Sequence, residues 1–235
     1  MGRRLRLHSR LPACMRRMAL AATLGVGGLM FGVLPATPAV AQSAPSQGAA
    51  DLILLQQVLG QIGANPIVHA DFVQTRTSAL LSEAATARGT LVFVRERGVI
   101  WQVREPQAQG YVYGRQRSAR LDDKGQVVSV DAQASAITQQ INEWSMAFMR
   151  GDTSGLTSQF SIAATGTPAN WQMVLTPSQP QIAQAMRRLT LAGDSVVRRV
   201  VLETRRGDTV SWRFDKIRTA DPLDAHEQRL LRAVE

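Results

Sequence analysis

Sulfur and imidazole ligands are scarce in this chain of 235 residues, which has one cysteine and three histidines. The single cysteine, Cys14, excludes an internal disulfide. Beyond the first 40 residues the only histidines are His69 and His226, too few for a closed structural zinc site. We therefore expect a folded protein that uses no metal, no cofactor and no disulfide.

Familiar catalytic motifs are also missing, since the sequence contains no G-x-S-x-G, no P-loop and no H-E-x-x-H. Residues 151–155 resemble the loop around a protease serine, but the glycine expected after Ser154 and Gly155 is absent, and a plain turn explains them. Asp122 and Asp123 lie side by side at a predicted hairpin tip, where they are ordinary turn formers. We expect no enzymatic activity; a hydrolase is the alternative, which generic ester substrates would test.

The first 17 residues carry six arginines and no acid, and residues 18–34 form an apolar run without a charge. A break at Pro35 and Pro38 is followed by Ala-Val-Ala at residues 39–41, which is typical of a signal-peptidase site. We predict that residues 1–41 are a cleavable signal peptide. The mature chain should then start at Gln42 and work in the periplasm.

Three other interpretations of this segment fit less well. As a transmembrane anchor, the apolar run is short and ends in proline. As a lipoprotein box, residues 11–14 come before the apolar run instead of after it, and a twin-arginine signal needs more than Arg16 and Arg17. Cleavage removes Cys14 and leaves 21 basic residues against 18 acids, a net charge of +3, which gives no reason to expect a nucleic-acid partner.

The mature chain predicts one domain, residues 51–217, between a flexible lead (42–50) and a C-terminal tail (218–235) that can form a short charged helix. Asp51 can cap a first amphipathic helix. The apolar positions of that helix recur at helical spacing on one face: Leu52, Leu55, Leu59 and Ile62.

After Pro66 the sequence changes to short β-branched and aromatic segments separated by turn residues. These segments predict strands near residues 68–77, 87–95, 99–104, 109–114, 117–121, 126–131, 157–164, 170–176, 183–192, 196–205 and 208–216. Their short connections favour antiparallel pairing as a meander. A second helix, over about residues 134–150, is predicted from helical spacing of Ile137, Ile141, Trp144 and Phe148. The fold class is therefore mainly β (α+β): a curled antiparallel sheet of about eleven strands, forming an unclosed half-barrel with a helical lid.

The second predicted strand ends in an arginine, Arg95. Alternation places Leu91, Phe93 and Arg95 on one face and Val92 and Val94 on the other. An arginine that ends an apolar stripe can simply reach solvent at the edge of the sheet. Alternatively, it lies at the rim of an apolar cavity and donates hydrogen bonds to backbone carbonyls of the lid helices.

Around these strands the chain resembles the periplasmic lipoprotein-carrier family LolA. The family has a Phe-x-Gln segment, then Gly-x-Leu-x-x-x-Arg-Pro, then Trp and Pro. The matching positions here are Phe72-Val73-Gln74, residues 89–96, Trp101 and Pro106. Residues 171–177 resemble the family's strand that ends in Leu-x-Pro. The order of leading helix, meander, central helices and closing strands also matches, so the resemblance covers about residues 50–217.

The resemblance implies an unclosed β-barrel whose concave apolar face, covered by helices, takes acyl chains of lipoproteins from an inner-membrane ABC transporter. It implies handover to an outer-membrane receptor and no catalysis. From the charge we expect no nucleic-acid partner, and we expect a monomer. By position, Arg95 resembles the family's lid-holding arginine and Val99 the apolar residue at the cavity edge. Because a helix stripe and a sheet face must bury each other or a ligand, we expect one shared cavity and lid. Its predicted residues are Phe72, Leu91, Phe93, Arg95, Val99, Trp101, Ile141, Trp144 and Phe148.

Three departures limit what the resemblance implies. Glu96 replaces the usual proline after the arginine, residues 111–115 depart from the common Asp-Gly turn, and the chain stops at Glu235 without the family's last strand and Pro-rich hook. Because the hook bears on contacts with membranes and partners, a carrier of another acylated or polyene lipid is the main alternative. A sensor that binds an acylated signal and reports it to a membrane protein is a further one, although it would normally carry a second domain.

Overall fold

A computed structural model describes residues 47–79, 83–131, 147–148 and 152–235. The predicted signal peptide lies outside these residues. So does most of the predicted central helix, including Ile137, Ile141 and Trp144.

Eleven antiparallel strands form one sheet, and their bounds lie within a few residues of the predicted ones because alternation and turn residues mark each strand locally. The strands are β1 (Ile67–Thr77), β2 (Ala85–Val94), β3 (Gly98–Glu105), β4 (Gln109–Tyr113), β5 (Ser118–Leu121), β6 (Val127–Asp131), β7 (Phe160–Thr167), β8 (Asn170–Pro177), β9 (Met186–Gly193), β10 (Val197–Thr204) and β11 (Thr209–Arg218).

The sheet consists of two meanders that meet in its middle. Strands β1 to β6 follow one another outward on one side and β11 to β7 on the other. The join is the antiparallel pairing of β1 with β11. Strands β6 and β7 stand at opposite ends of the order, so the sheet is not closed within the described part of the chain. This confirms the predicted mainly β architecture, an unclosed half-barrel.

Helix α1 (Gln47–Gly63) packs on one face of the sheet, which we call the α1 face. Its buried residues are Leu55, Val58, Leu59 and Ile62. They share a core with residues of β7, β8 and β9: Phe160, Ala164, Trp171, Met173, Leu175, Met186 and Leu191.

The start of α1 differs from the prediction. The helix begins at Gln47, so residues 47–50, expected in a flexible lead, are helical, because Ala49 and Ala50 favour helix. Leu52, expected on the buried face, is 47 % exposed. The buried stripe passes through Val58 instead, at the i, i+3, i+4, i+7 spacing that begins at Leu55.

The opposite face carries a second core under helix α4 (Ala225–Arg232), and we call it the α4 face. This core joins β2 to β5 with the helix and the residues after it: Val92, Val94, Ile100, Val112, Ala119, Leu121, Leu230, Leu231 and Val234. A capping box between Asp224 and Glu227 starts the helix. The Glu227 carboxylate also lies 3.2 Å from Nε2 of the buried His69. The C-terminal segment therefore packs on the back of the first meander.

Two short helices lie where the sequence predicted other structure. Helix α2 (Thr153–Thr157) takes part of the expected loop, because the Asp152 side chain caps it by accepting from the Gly155 amide at 3.0 Å. Helix α3 (Pro180–Ala185) takes the first residues of the strand expected at 183–192, because a proline at the first helical turn favours a helix start.

Candidate functional site

Seven side chains of β1 to β4 share one face of the sheet, and we call them the aromatic patch: Phe72, Leu91, Phe93, Val99, Trp101, Tyr111 and Tyr113. Leu91 lies opposite Trp101, and Trp101 opposite Tyr111. Residues directly opposite in antiparallel strands project from the same face. The register therefore brings together residues far apart in the sequence.

The aromatic patch belongs to the α1 face. Phe72 lies opposite Phe214 in β11, two residues from Trp212. Trp212 lies opposite Val200, and Val200 opposite Leu191, which is in the core under α1. One apolar face thus runs from β4 across the sheet to β8, with α1 over one end and the aromatic patch at the other.

A stack of two rings forms the middle of the patch. The ring centroids of Phe72 and Trp101 are 4.0 Å apart, and the planes are inclined by 26°. Gly89 lies opposite Phe72 on β2. A Cβ at this position would come within 2.8 Å of Phe72 Cε1 and would clash with the Gln102 carbonyl. The glycine of the Gly-x-Leu motif therefore makes room for the stack.

Two tyrosines that the sequence analysis did not assign to the site extend the patch along β4. The ring centroids of Tyr111 and Tyr113 are 5.9 Å apart. Burial, followed by the neighbouring Tyr111, raises the pKa of Tyr113 to about 12, so this hydroxyl stays neutral over the physiological range. The Tyr-Val-Tyr alternation was the signal for their shared face.

Arg95 follows β2 at one end of the aromatic patch. Its Nη2 donates to the carbonyl of Gly63, the last residue of α1. The side chain is partly buried, and its Nε has no hydrogen-bond partner among the described residues. A cation at the carbonyl end of a helix is favourable, and here the helix is α1.

Phe148 lies apart from the aromatic patch. It packs in the core of the α1 face, with its ring centroid 6.3 Å from that of Trp171. Ile141 and Trp144 lie outside the described residues, so their place in the cavity stays a prediction. The structure brings together the other six predicted residues on the first meander: Phe72, Leu91, Phe93, Arg95, Val99 and Trp101.

The described helices over the α1 face are grouped at its other end. Helices α1, α2 and α3 pack against β7, β8 and β9. Leu91, Val99 and Trp101 remain partly exposed. The patch offers rings and aliphatic side chains, a surface on which an apolar group can be removed from water.

The two segments considered for catalysis, the turn at Asp122 and the loop at residues 151–155, contain carboxylates with local structural roles. Asp122 accepts hydrogen bonds from the backbone amides of Lys124 and Gln126, at 2.9 and 2.7 Å. Asp152 caps α2 and also accepts from Ser154 Oγ at 2.8 Å. Within the described ranges, no three His, Cys, Asp or Glu side chains are grouped to hold a metal ion. In the same part of the chain, no helix is both long and apolar enough to cross a membrane.

A cavity of about 230 Å³ lies on the α4 face, between α4 and strands β2 and β3. Polar side chains make up much of its wall, among them His69, Gln102, Arg104 and His226. It is on the opposite side of the sheet from the aromatic patch. Its polar lining does not suit an apolar chain.

Three solved structures are similar to this chain at low identity. A LolA superfamily protein from Nitrosomonas europaea is 9 % identical with a TM-score of 0.41, over 74 % of this chain and 97 % of that one. The lipoprotein LppX from Mycobacterium tuberculosis is 11 % identical with a TM-score of 0.44, over 75 % and 99 %. The MucA/MucB complex of Pseudomonas aeruginosa matches at 14 % identity and a TM-score of 0.43, over 75 % and 60 %. None of the curated proteins matches the chain in sequence.

The match to a family model is more extensive. The model of the outer membrane lipoprotein carrier protein LolA matches residues 66–227, more than half of the chain. The matched region begins one residue before β1 and continues past β11 into α4, so it includes every strand, the aromatic patch and Arg95. The chain therefore belongs to the LolA family.

Proposed function

We propose that this protein is a periplasmic carrier that binds the acyl chains of lipoproteins on its aromatic patch and carries them from the inner to the outer membrane. An inner-membrane transporter would supply the cargo, and an outer-membrane protein would accept it. The observation that supports this most is the single apolar face from β4 to β8, of which α1 covers one end. Membership of the LolA family supports the carrier role.

Burial of an acyl chain on this face accounts for useful affinity without any contact to a head group. Each methylene removed from water contributes about 0.8 kcal/mol, so about twelve of them contribute roughly 10 kcal/mol before the costs of association. No ionised group belongs to the aromatic patch. A carrier of this kind selects cargo by its chains, and it can accept lipoproteins whose protein parts differ.

The lid remains part of the proposal through the predicted stripe of Ile141 and Trp144. Trp144→Asp places a charge on that stripe, which should abolish binding of a fluorescent fatty acid. The β-sheet signal in far-UV circular dichroism should stay. Unchanged binding would mean that Trp144 belongs to ordinary core and not to the cargo site.

The decisive experiment identifies the cargo by mass spectrometry of the amphiphile that co-purifies from the periplasm. The proposal expects acylated lipoproteins or their N-terminal acyl peptides. Another acylated or polyene lipid in their place would favour the alternative carrier. Protein purified as Trp101→Asp, described in the Discussion, is the control and should carry much less of the same compound.

The periplasmic location has its own test, because cleavage after Ala41 predicts an intact mass that starts at Gln42. The measurement is intact mass of the protein released from the periplasm. A mass that retains Cys14, or a diacylated form, would contradict a soluble carrier.

A further inference from the structure

Three pairs of adjacent arginines lie in the second meander: Arg187 with Arg188, Arg198 with Arg199, and Arg205 with Arg206. In a regular strand, neighbouring residues point to opposite faces. One arginine of each pair in β9 and β10 would then enter the apolar α1 face. All six arginines are nevertheless exposed.

Irregular pairing between β9 and β10 keeps these arginines out of the apolar α1 face. The register between β9 and β10 shifts between Val197 and Arg199, and again between Glu203 and Thr204. Each shift leaves one extra residue in one strand, as in a β-bulge, namely Arg198 in β10 and Arg187 in β9. The third pair avoids the problem because it lies in the turn between β10 and β11.

The result is a basic region over β9 to β11. Residues 186–218 contain nine Lys and Arg against four Asp and Glu, an excess of five positive charges. The mature chain predicted from the sequence has an excess of only three, so the remaining residues together carry more acids than bases. Two of the nine cations, Lys216 and Arg218, pair with Asp71 and Asp221 outside this range, so the other seven exceed the four acids by three.

Two basic residues on neighbouring strands repel each other and lower the stability of the sheet. Arg199 in β10 lies directly opposite Arg213 in β11, and like charges in this position are destabilising. Asp215 lies 3.0 Å from Arg213, whereas Arg199 belongs to none of the ion pairs within the described residues. Within the described residues, the Arg199 charge therefore does not stabilise the sheet through an ion pair, and it stays available to an external anion.

We propose that the α4 face over β9 to β11 is a docking surface for an anionic phospholipid bilayer. Helix α4 packs over β2 to β5, which leaves this part of the face accessible among the described elements. Guanidinium groups match phosphate oxygens in bidentate geometry. The choice of a bilayer over an acidic protein rests on the proposed function, since a carrier of acyl chains takes up and delivers its cargo at membranes.

The test is co-sedimentation with vesicles of phosphatidylcholine, with and without phosphatidylglycerol. The patch variant is Arg187→Gln with Arg199→Gln and Arg206→Gln, three exposed arginines outside the described ion pairs. The matched control removes three exposed charges elsewhere, by Arg120→Gln, Lys124→Gln and Arg232→Gln.

We expect the parent to bind only the anionic vesicles, and to lose that binding as salt shortens the Debye length from ~10 Å to ~3 Å. Each basic residue near an anionic surface strengthens binding about fivefold, so the patch variant should bind on the order of 100-fold more weakly. The control should stay close to the parent. Absence of parent binding, or equal weakening of both variants, would overturn the proposal.

Three further measurements separate the remaining explanations. If polyglutamate binds the parent protein and anionic vesicles do not, the surface would be assigned to an acidic protein. That result would overturn the proposal of a bilayer. Binding of a fluorescent fatty acid, which should be equal in parent and patch variant, reports the proposed function independently of the docking surface. In urea unfolding, Arg199→Gln alone should be at least as stable as the parent, and a clear loss of stability would overturn the argument from repulsion.

Discussion

The two halves of the sheet are covered in opposite ways. In the first half, β1 to β5, α4 packs on the α4 face, and the α1 face carries the aromatic patch. In the second half, β7 to β11, α1 packs on the α1 face, and the α4 face is basic. Among the described elements, each of these helices thus covers one face of one half. The two faces left over differ in chemistry, because one is apolar and the other is basic.

The difference is visible in the composition of single strands. In β2, four apolar residues follow one another from Leu91 to Val94, because both faces of this half are apolar. In β9, the exposed Arg188 precedes the alternating Leu189 and Leu191 of the α1 face. A strand with one solvated face alternates. The surface chemistry of a face and the composition of its strands therefore both depend on whether a helix covers that face.

The largest expected effect breaks the aromatic patch. Trp101→Asp places a charge beside Phe72 and should weaken binding of a fluorescent fatty acid on the order of 100-fold, because an unpaired charge in an apolar site costs several kcal/mol. Val128→Asp, at a position 49 % exposed on β6, is the matched control and should bind normally. Circular dichroism checks the fold of both. Equal affinity in the two variants would make the patch ordinary core.

A glycine comparison tests the packing of the two halves separately. Gly89→Ala pushes against Phe72 and the β3 backbone, so it should lower the free energy of unfolding by about 1–3 kcal/mol. Gly60→Ala in α1 has open space around the new Cβ and should raise it by about 0.5–1 kcal/mol. Urea unfolding measures both. The same sign for both substitutions would refute this account of Gly89.

Arg95 joins the halves, because it extends from the end of β2 to the last carbonyl of α1. Arg95→Leu keeps apolar bulk and removes the donors. Since a hydrogen bond from a charged group is worth about 1.5–3 kcal/mol, a two-state opening should shift by a factor of ten or more. The variant should fold and load a fluorescent fatty acid, yet release it to acceptor vesicles at a changed rate.

Arg95→Lys and Arg232→Leu sharpen this experiment. The lysine keeps a cation at the helix end and should restore part of the parent's release rate. Arg232 is exposed and lies in α4, on the opposite face of the sheet from α1, so its loss should leave release unchanged. If Arg95→Leu matches the parent in loading and release, the arginine does no more than reach solvent at the sheet edge.

Local features of the fold could be predicted from the sequence, and long-range ones could not. Alternation and turn residues define each strand, so the predicted bounds were close. The pairing of β1 with β11 joins segments about 140 residues apart, and no local pattern encodes it. The position of α4 was missed for the same reason, because its apolar residues Leu230 and Leu231 do not indicate which face they cover.

The candidate site shows the same limit at the level of residues. Leu91 and Phe93 were predicted because alternation places them on one face of the same strand, and Trp101 was predicted on the neighbouring strand. Phe148 has the helical spacing of the predicted lid, but it packs beside Trp171. Helical spacing predicts which residues share a face of a helix, but it does not predict what that face packs against. Arginine pairs within an alternating strand were a readable sign of β-bulges, which the sequence analysis did not use.

The smallest expected effect is an acid sensitivity confined to the second half. Burial acts to raise the pKa of Asp194, but hydrogen bonds from the Val196 amide and Arg198 outweigh it and lower the pKa below its ordinary 3.8. Hydrogen bonds from Ser78 and Arg76 lower the pKa of Asp208 in the same way. A carboxylate with a lowered folded-state pKa stabilises the fold fully above its ordinary value and loses that contribution as pH falls through the folded value. Both carboxylates lie near solvent, so the effect should be small.

Hydrogen exchange with mass spectrometry locates this effect along the chain. As pH falls below about 3.8, peptides of β9 to β11 should lose protection before those of β2 to β5, relative to the intrinsic exchange rate at each pH. Asp194→Asn with Asp208→Asn removes the titrating groups and should make the two halves respond alike. Asp123→Asn, in an exposed turn of the first half, should leave the order unchanged. Simultaneous loss of protection in both halves of the parent protein would show that the two carboxylates do not set the acid response, and the halves would then differ in surface chemistry but not in stability.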